Sequence, residues 1–325
     1  MPERPIIIAT RGSDLALAQA NLIAAQGRAA FPHLRFELKI VKTTGDKLQK
    51  ASLAKTDASL PKGLFTKELE VALLDGQADL AVHSLKDLPT ELPTGLKLAA
   101  TPPRADVRDV LIYRAAPTAS TSPGRGFQPH TKLRDFPAGA TIATGSTRRK
   151  AQLLATRPDL GIVEIRGNVA TRIKKIADQP ELDATVLALA GITRLNFTIT
   201  PDGKLCGDAL PDGLLATVLD VNVMLPCVGQ GAIGIEIRDD DERIAKICER
   251  LNHFDTFQCV TAERAFLAGM GGGCQSPVAA YAKVIEGQLH LRAVSYHHEP
   301  VRRAEAHGAV KEAVALGERM SLELK

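Results

Sequence analysis

The sequence contains no tryptophan, and aromatic residues make up 4% of its 325 positions. So few rings leave little from which to build the stacking platforms that bind single-stranded nucleic acids. Charge of one sign is also scarce: 41 Lys and Arg against 37 Asp and Glu leave a net charge of +4, too small for a general nucleic-acid binder. The five cysteines, Cys206, Cys227, Cys248, Cys259 and Cys274, form an odd set without a CxxC pair. That pattern argues against a disulfide scaffold and a thiolate zinc site, and for a reducing compartment; no metal is expected. No apolar run is long enough to span a bilayer, and Met1-Pro2-Glu3-Arg4-Pro5 leads straight into a strand pattern rather than a signal or transit peptide. The expectation is a cytoplasmic protein with neither a membrane nor a nucleic-acid partner.

At 325 residues the chain exceeds one ordinary core, so two or three domains are expected. Ile6-Ile7-Ile8-Ala9 reads as a buried parallel-type strand. Leu15, Ala18, Leu22 and Ala25 follow at helical spacing, with Ser13 or Asp14 as N-cap. Arg11 and Ser13 therefore stand at a helix N-terminus, where free N–H groups and the dipole favour an anion; simple capping beside an exposed arginine is the other reading. Phe36, Leu38 and Ile40 mark a second strand. From 43 to 63 the chain is polar and aperiodic and carries Lys47, Lys50, Lys55 and Lys62, as a lid, a binding loop or plain solvated surface would. Leu69, Ala72 and Leu73 form a helix face closed by Asp75-Gly76. A strand over 78–82 then delivers His83, Lys86 and Asp87 to its carboxyl end, where open α/β sheets bind ligands. That group suits acid–base work or cation stabilisation; an Asp capping the turn before Pro89 is the plain alternative.

After a strand over 96–100 and a hinge at Thr101-Pro102-Pro103-Arg104, a second α/β unit begins with Val110-Leu111-Ile112-Tyr113. The stretch 115–130, rich in Pro, Gly, Ser and Thr, reads as an insertion loop. Thr141-Ile142-Ala143-Thr144 and then Gly145-Ser146-Thr147-Arg148-Arg149-Lys150 repeat the strand, small polar turn and helix plan of the N-terminus. Cations in a first helical turn oppose the dipole, so an anion is expected there. Strand patterns over 162–165 and 185–189 end near Arg166 and Arg194, with Arg172 in the intervening helix. Arginines after three strand ends suit bidentate carboxylate or phosphate binding. Gly229-Gln230-Gly231 lacks the spacing of a dinucleotide fingerprint, and the strand behind it, 232–237, reads as a return crossover to the first domain. Cys248 and Cys259 fall on the apolar faces of two helices. A hairpin about Glu286-Gly287, a strand near 301–306 and a helix over 310–324 complete a small α+β unit. Before it lies Gly269-Met270-Gly271-Gly272-Gly273-Cys274-Gln275-Ser276-Pro277. Glycines there admit something large to the Cys274 sulfur, and an accessible thiolate is a nucleophile and an attachment point. A Gly-rich turn carrying a small buried cysteine is the other reading of that stretch alone.

Several motifs, in order along nearly the whole chain, resemble the porphobilinogen deaminase (hydroxymethylbilane synthase) family. They are Ile8-Ala9-Thr10-Arg11-Gly12-Ser13, Lys62-Gly63-Leu64-Phe65-Thr66-Lys67-Glu68-Leu69-Glu70 and Ala81-Val82-His83-Ser84-Leu85-Lys86-Asp87-Leu88-Pro89, followed by Arg166-Gly167-Asn168-Val169, Leu225-Pro226-Cys227-Val228-Gly229-Gln230-Gly231-Ala232 and Gly272-Gly273-Cys274-Gln275-Ser276-Pro277. The resemblance implies an α/β fold of three domains. Two would be periplasmic-binding-protein-like α/β domains joined by two crossovers, and the third a small C-terminal α+β domain with a three-stranded antiparallel sheet. Their expected extents are 1–103 with 231–250, 104–230, and 251–325. The implied activity condenses four porphobilinogen head to tail into 1-hydroxymethylbilane, releasing four ammonia, in tetrapyrrole (heme and chlorophyll) biosynthesis. It is primed by a dipyrromethane cofactor, held by thioether on the residue that Cys274 matches. Asp87 matches the catalytic carboxylate. Lys86, Asp87, Ser146, Thr147, Arg148 and Arg149 match cofactor-binding positions, and Arg11, Ser13, Arg149, Arg166, Arg172 and Arg194 substrate-binding ones. Lys55 and Lys62 match a segment over the cleft, and the family is usually monomeric. Each pyrrole unit carries an acetate and a propionate, so a growing chain needs paired cations inside the protein. A non-catalytic two-domain anion-binding protein would explain the arginines and crossovers. It would have no use for Cys274 on a glycine loop or for Asp87 among cations.

Overall fold

The computed structural model describes residues 4–45, 65–116, 125–208, 210–273 and 276–325. Cys274, Lys55 and Lys62, with most of the 43–63 loop and the centre of the 115–130 loop, lie outside the described residues. In chain order the elements are β1 (Ile6–Arg11), α1 (Asp14–Ala30), β2 (Phe36–Val41), α2 (Lys67–Leu74), β3 (Leu80–Ser84), β4 (Leu96–Ala100), β5 (Asp109–Arg114), β6 (Thr141–Ala143), α3 (Thr147–Thr156), β7 (Gly161–Val163), α4 (Val169–Asp178), β8 (Ala184–Ala188) and α5 (Leu189–Arg194). They continue as β9 (Thr198–Ile199), β10 (Leu205–Cys206), β11 (Leu214–Val218), β12 (Ile233–Arg238), α6 (Glu242–Leu251), α7 (Phe254–Gly269), β13 (Val278–Ile285), β14 (Gln288–Ser295), β15 (Arg302–Ala309) and α8 (Ala313–Leu324).

The first sheet has the order β2-β1-β3-β12-β4, with β1 parallel to β2 and β3, and β12 antiparallel to β3 and β4. The unbroken apolar run of β1 is packed on both faces: Ile6, Ile8 and Ala9 are fully buried and Ile7 is half-buried. Its core joins Ile23 of α1 and Leu80 of β3 to Ile235 and Ile237 of β12 and Ile247 of α6. Each such side chain removed from water contributes about 1.5–3 kcal/mol. The chain thus leaves this sheet after β4 and returns to it at β12, which makes the two crossovers.

The second sheet runs β11-β5-β8-β6-β7, with β6 parallel to β7 and β8, and β5 antiparallel to β8 and β11. It is buried on both faces. Val110, Ile112, Ile173 and Ile176 fill one side, and Leu111, Tyr113, Ile142 and Leu153 the other. The short pair β9–β10 and the edge strand β11 carry no clear period in the sequence, because brief apolar runs do not distinguish strand from helix. The third sheet, β13-β14-β15, is antiparallel. Phe266 of α7 and Leu316 and Met320 of α8 pack onto Leu289 and Leu291 of β14.

One carboxylate joins the three units. Glu263 of α7, fully buried, accepts Arg104 Nη1 and Nη2 at 2.6 and 2.9 Å from the first crossover. It also accepts Gly229 N from the second crossover and Ala282 N from β13, both at 2.8 Å. Burial alone would lower the Arg104 pKa, but the Glu263 charge outweighs it and the pKa is raised. The glycines of the Gly229-Gln230-Gly231 motif serve packing rather than phosphate. Gly231 has φ of 83°, and a Cβ there would lie 2.6 Å from the Ala105 carbonyl of the other crossover. Among the described residues no helix is long and apolar enough to cross a membrane.

Candidate active site

The carboxyl ends of β1 and β3 lie side by side, because the two strands are parallel neighbours. Arg11 is the last residue of β1. Ser13 caps α1, its Oγ accepting Ala16 N at 3.4 Å. Beyond β3 a single 3-10 turn, Leu85–Asp87, lifts Asp87 away from the sheet. Leu85 and Leu88, both buried, pin that turn on either side and leave Asp87 exposed between them. Arg11, Ser13, Gln19, Phe65, Thr66 and Asp87 line one cavity of about 70 Å³. The Arg11 guanidinium lies over the Phe65 ring, 4.2 Å from its centroid, a contact that orients the cation without cancelling its charge.

The second sheet repeats the plan with a different outcome. Ser146 caps α3, accepting Arg149 N at 3.4 Å. Both arginines of the first turn are buried and point inward to Asp109, the first residue of β5. Arg148 Nη2 donates to Asp109 Oδ2 and Arg149 Nη2 to Oδ1, each at 2.8 Å, and Gln230 Nε2 adds a donor to Oδ1 at 3.0 Å. Leu225 O accepts from Arg148 and Val186 O from Arg149. The anion expected at this helix start is thus in part the protein's own. Burial would raise the Asp109 pKa, but the two guanidinium groups hold its carboxyl well below the ordinary range. Nε of Arg148 is buried with no hydrogen-bond partner among the described residues.

The two sets meet through Asp87. Burial lowers the Lys86 pKa, the adjacent Asp87 charge opposes that, and Arg149 adds to it. Arg172 of α4 is lowered by burial and by Arg149, again against the pull of Asp87. Asp87 therefore lies within electrostatic reach of a cation from each α/β unit. Among the described residues, Arg11 lines the cavity with Asp87, and Lys86 and Arg172 both interact with the Asp87 and Arg149 charges, a cationic setting that suits anionic groups.

The remaining predicted residues have partners or surroundings of their own. Arg166 is exposed and its Nε donates to Glu164 at 2.8 Å. Arg194, at the end of α5, donates to Gly231 O at 2.7 Å, and burial takes its pKa down to about 10. Thr147 is half-buried at the first position of α3. His83, grouped with Lys86 and Asp87 in the sequence, lines the same cavity as Asp87 and sets its Nε2 2.9 Å from Glu236 Oε2. Sequence reasoning missed Asp109; the one local mark is a charged residue opening the strand before the apolar run Val110-Leu111-Ile112-Tyr113. Gly271, Gly272 and Gly273 have φ of 94°, 65° and 101°, a run of left-handed conformations open to glycine alone at this frequency.

Fold and site together define a cleft protein that sets one exposed carboxylate among cations drawn from two sheets. The profile described as "Porphobilinogen deaminase, dipyromethane cofactor binding domain" matches residues 6–246, and "Porphobilinogen deaminase, C-terminal domain" matches 257–325. The chain is 44% identical over 289 residues to the porphobilinogen deaminase of Syntrophomonas wolfei, covering 89% of this chain and 84% of that one. It is 44% identical to that of Clostridioides difficile, over 88% and 85% of the two chains. With the Desulforudis audaxviator protein of the same name the identity is 42%, over 99% and 94%. The chain belongs to the porphobilinogen deaminase family.

Proposed function

We propose that Asp87 is the catalytic carboxylate of this chain and that Cys274 carries the cofactor through a thioether. Lys86, Asp87, Ser146, Thr147, Arg148 and Arg149 hold the cofactor. Arg11, Ser13, Arg149, Arg166, Arg172 and Arg194 hold substrate and growing chain, with Lys55 and Lys62 in a segment over the cleft. The activity is that of the family: a transferase reaction of tetrapyrrole biosynthesis that condenses four porphobilinogen into 1-hydroxymethylbilane with loss of four ammonia, primed by dipyrromethane. The observation that carries the residue assignment is the exposed Asp87 standing where cations of both sheets converge.

The donor set fits a group that bears carboxylates and pyrrole N–H. The cationic setting and the partnerless Arg148 Nε ask for acceptors, and Asp87 offers an acceptor to N–H. When bound, the dipyrromethane supplies the free α-carbon at which the chain grows. Loss of ammonia from porphobilinogen leaves a cationic methylene-pyrrolenine, and the Asp87 carboxylate stabilises that charge as it develops. Asp87 also accepts or returns the pyrrole proton, general acid–base work that contributes roughly 10²–10⁴-fold. Arg11 and Arg172 orient the acetate and propionate groups, and Asp109 keeps Arg148 and Arg149 in fixed positions beneath them.

The three sheets support domains at 1–103 with 231–250, 104–230, and 251–325. The enzyme is placed in the cytoplasm, on its odd cysteine set, as a monomer without nucleic-acid or membrane partners; light scattering tests the oligomeric state. The assignment of Cys274 is tested by intact mass of wild type beside Cys274→Ser. A two-pyrrole excess on wild type alone is expected. No adduct on either protein after incubation with porphobilinogen would overturn it.

A further inference from the structure

Arg264 follows Glu263 on α7 and turns its side chain to the opposite task. Its Nη1 donates to Leu88 O at 3.1 Å, and its Nη2 donates to Pro89 O at 2.6 Å and Thr90 O at 3.2 Å. These are the three carbonyls directly after Asp87. They belong to an irregular segment outside any sheet, so no strand neighbour fixes them. A planar guanidinium with five N–H donors is the side chain able to serve three carbonyls at once. The loop that follows the same helix reaches the same segment: a Cβ on Gly272 would lie 3.3 Å from Thr90 Oγ1. Burial takes the Arg264 pKa down to about 10, with only the Glu236 charge opposing. A cation set against carbonyls is poorly compensated for lost water. Its effect is to hold residues 88–90 against α7.

Asp87 sits on a turn of three residues whose forward anchor is this segment. A shift of the 88–90 carbonyls rotates the Asp87 backbone, and a misplacement near 1 Å can cost about 100-fold in rate. We propose that Arg264 is a positioning residue for the condensation, clasping the segment after Asp87 to the third domain so that the carboxylate keeps its place in the cleft. This rests on the reading of Asp87 as the catalytic carboxylate.

The test uses the full-length, cofactor-loaded enzyme and the variants Arg264→Met and Arg264→Lys, assayed well below their melting temperatures, alone and combined with Asp87→Asn. Loading, read by intact mass, should match wild type. KM for porphobilinogen should stay within about twofold, while kcat falls about 10- to 100-fold for Arg264→Met and less for Arg264→Lys. On the Asp87→Asn background Arg264→Met should bring no further loss, since it acts only through that carboxylate. Wild-type kcat in Arg264→Met, or a full additional loss on the Asp87→Asn background, overturns the proposal. Should the methionine variant not fold, the lysine variant decides by the same criteria. Full activity in Asp87→Asn alone would overturn the reading of Asp87 instead, and this inference with it.

Discussion

The ends of β1–α1 and β6–α3 share one plan, a strand, a small polar turn, a serine cap and arginines close by, yet they end in opposite electrostatic states. At the first, Arg11 lies over an aromatic ring beside an exposed carboxylate, and the cavity between them stays open. At the second, Arg148 and Arg149 are buried and share Asp109. An exposed carboxylate is free to meet substrate charge. A buried one that two guanidinium groups have claimed can only fix their positions. Under the proposed reading the first sheet contributes the reacting carboxylate, and Arg148 and Arg149 of the second a fixed cationic wall.

The sharpest way to break that contrast is to exchange what each carboxylate does. Asp87→Asn should lower kcat by about 100-fold or more while stability stays within about 0.5 kcal/mol, as rates of hydroxymethylbilane formation and urea melts will show. A large stability loss there would make Asp87 a second structural carboxylate. Asp109→Asn should do the reverse first, destabilising by about 3–5 kcal/mol because two buried guanidinium groups lose their partner. A urea midpoint equal to wild type would remove the wall from the account.

Acid titration sharpens the same point. The Asp109 carboxyl is more acidic folded than its ordinary value of 3.8, so the unfolded chain binds the proton first. Its stabilisation is complete above that value and is lost as pH falls below it toward the depressed folded value. Urea midpoints from pH 6 downward should fall more steeply for wild type than for Asp109→Asn in the acid range; parallel profiles would exclude this carboxylate as the cause. The smallest effect is expected at Arg166, exposed and paired with exposed Glu164. Arg166→Ala should change stability by less than about 1 kcal/mol, and under the proposed role it raises KM without lowering kcat. An unchanged KM would take Arg166 out of the substrate site.

Much of this was legible beforehand. The apolar run Ile6-Ile7-Ile8-Ala9, the helix face Leu69, Ala72 and Leu73, and the hairpin at Glu286-Gly287 follow from local periodicity and turn chemistry, which need no partner to be read. The return of the chain at 232–237 is only suggested locally, by the lack of a helical pattern between Met224 and that strand; the pairing of β12 with β3 and β4 decides it. The edge strand β11 and the β9–β10 pair were not legible, because their short runs acquire meaning only beside β5 and each other. Asp109 was missed for a related reason: a charge at the start of an apolar strand is only a weak mark, and the partners that claim it, Arg148 and Arg149, lie about forty positions away. His83 does line the cavity with Asp87, as its place in the sequence suggested, but that its ring is also held by Glu236, 153 positions away, is a fact of the fold alone.

By itself the sequence determined the order of the longer elements, the family, and the residue types available to the chemistry, because these depend on spacing and identity along one line. Tertiary structure alone decided which charges remain available. Burial and distance set whether a carboxylate meets water, substrate or a guanidinium, and both arise only when β12 returns to the first sheet and α7 gathers the crossovers through Glu263.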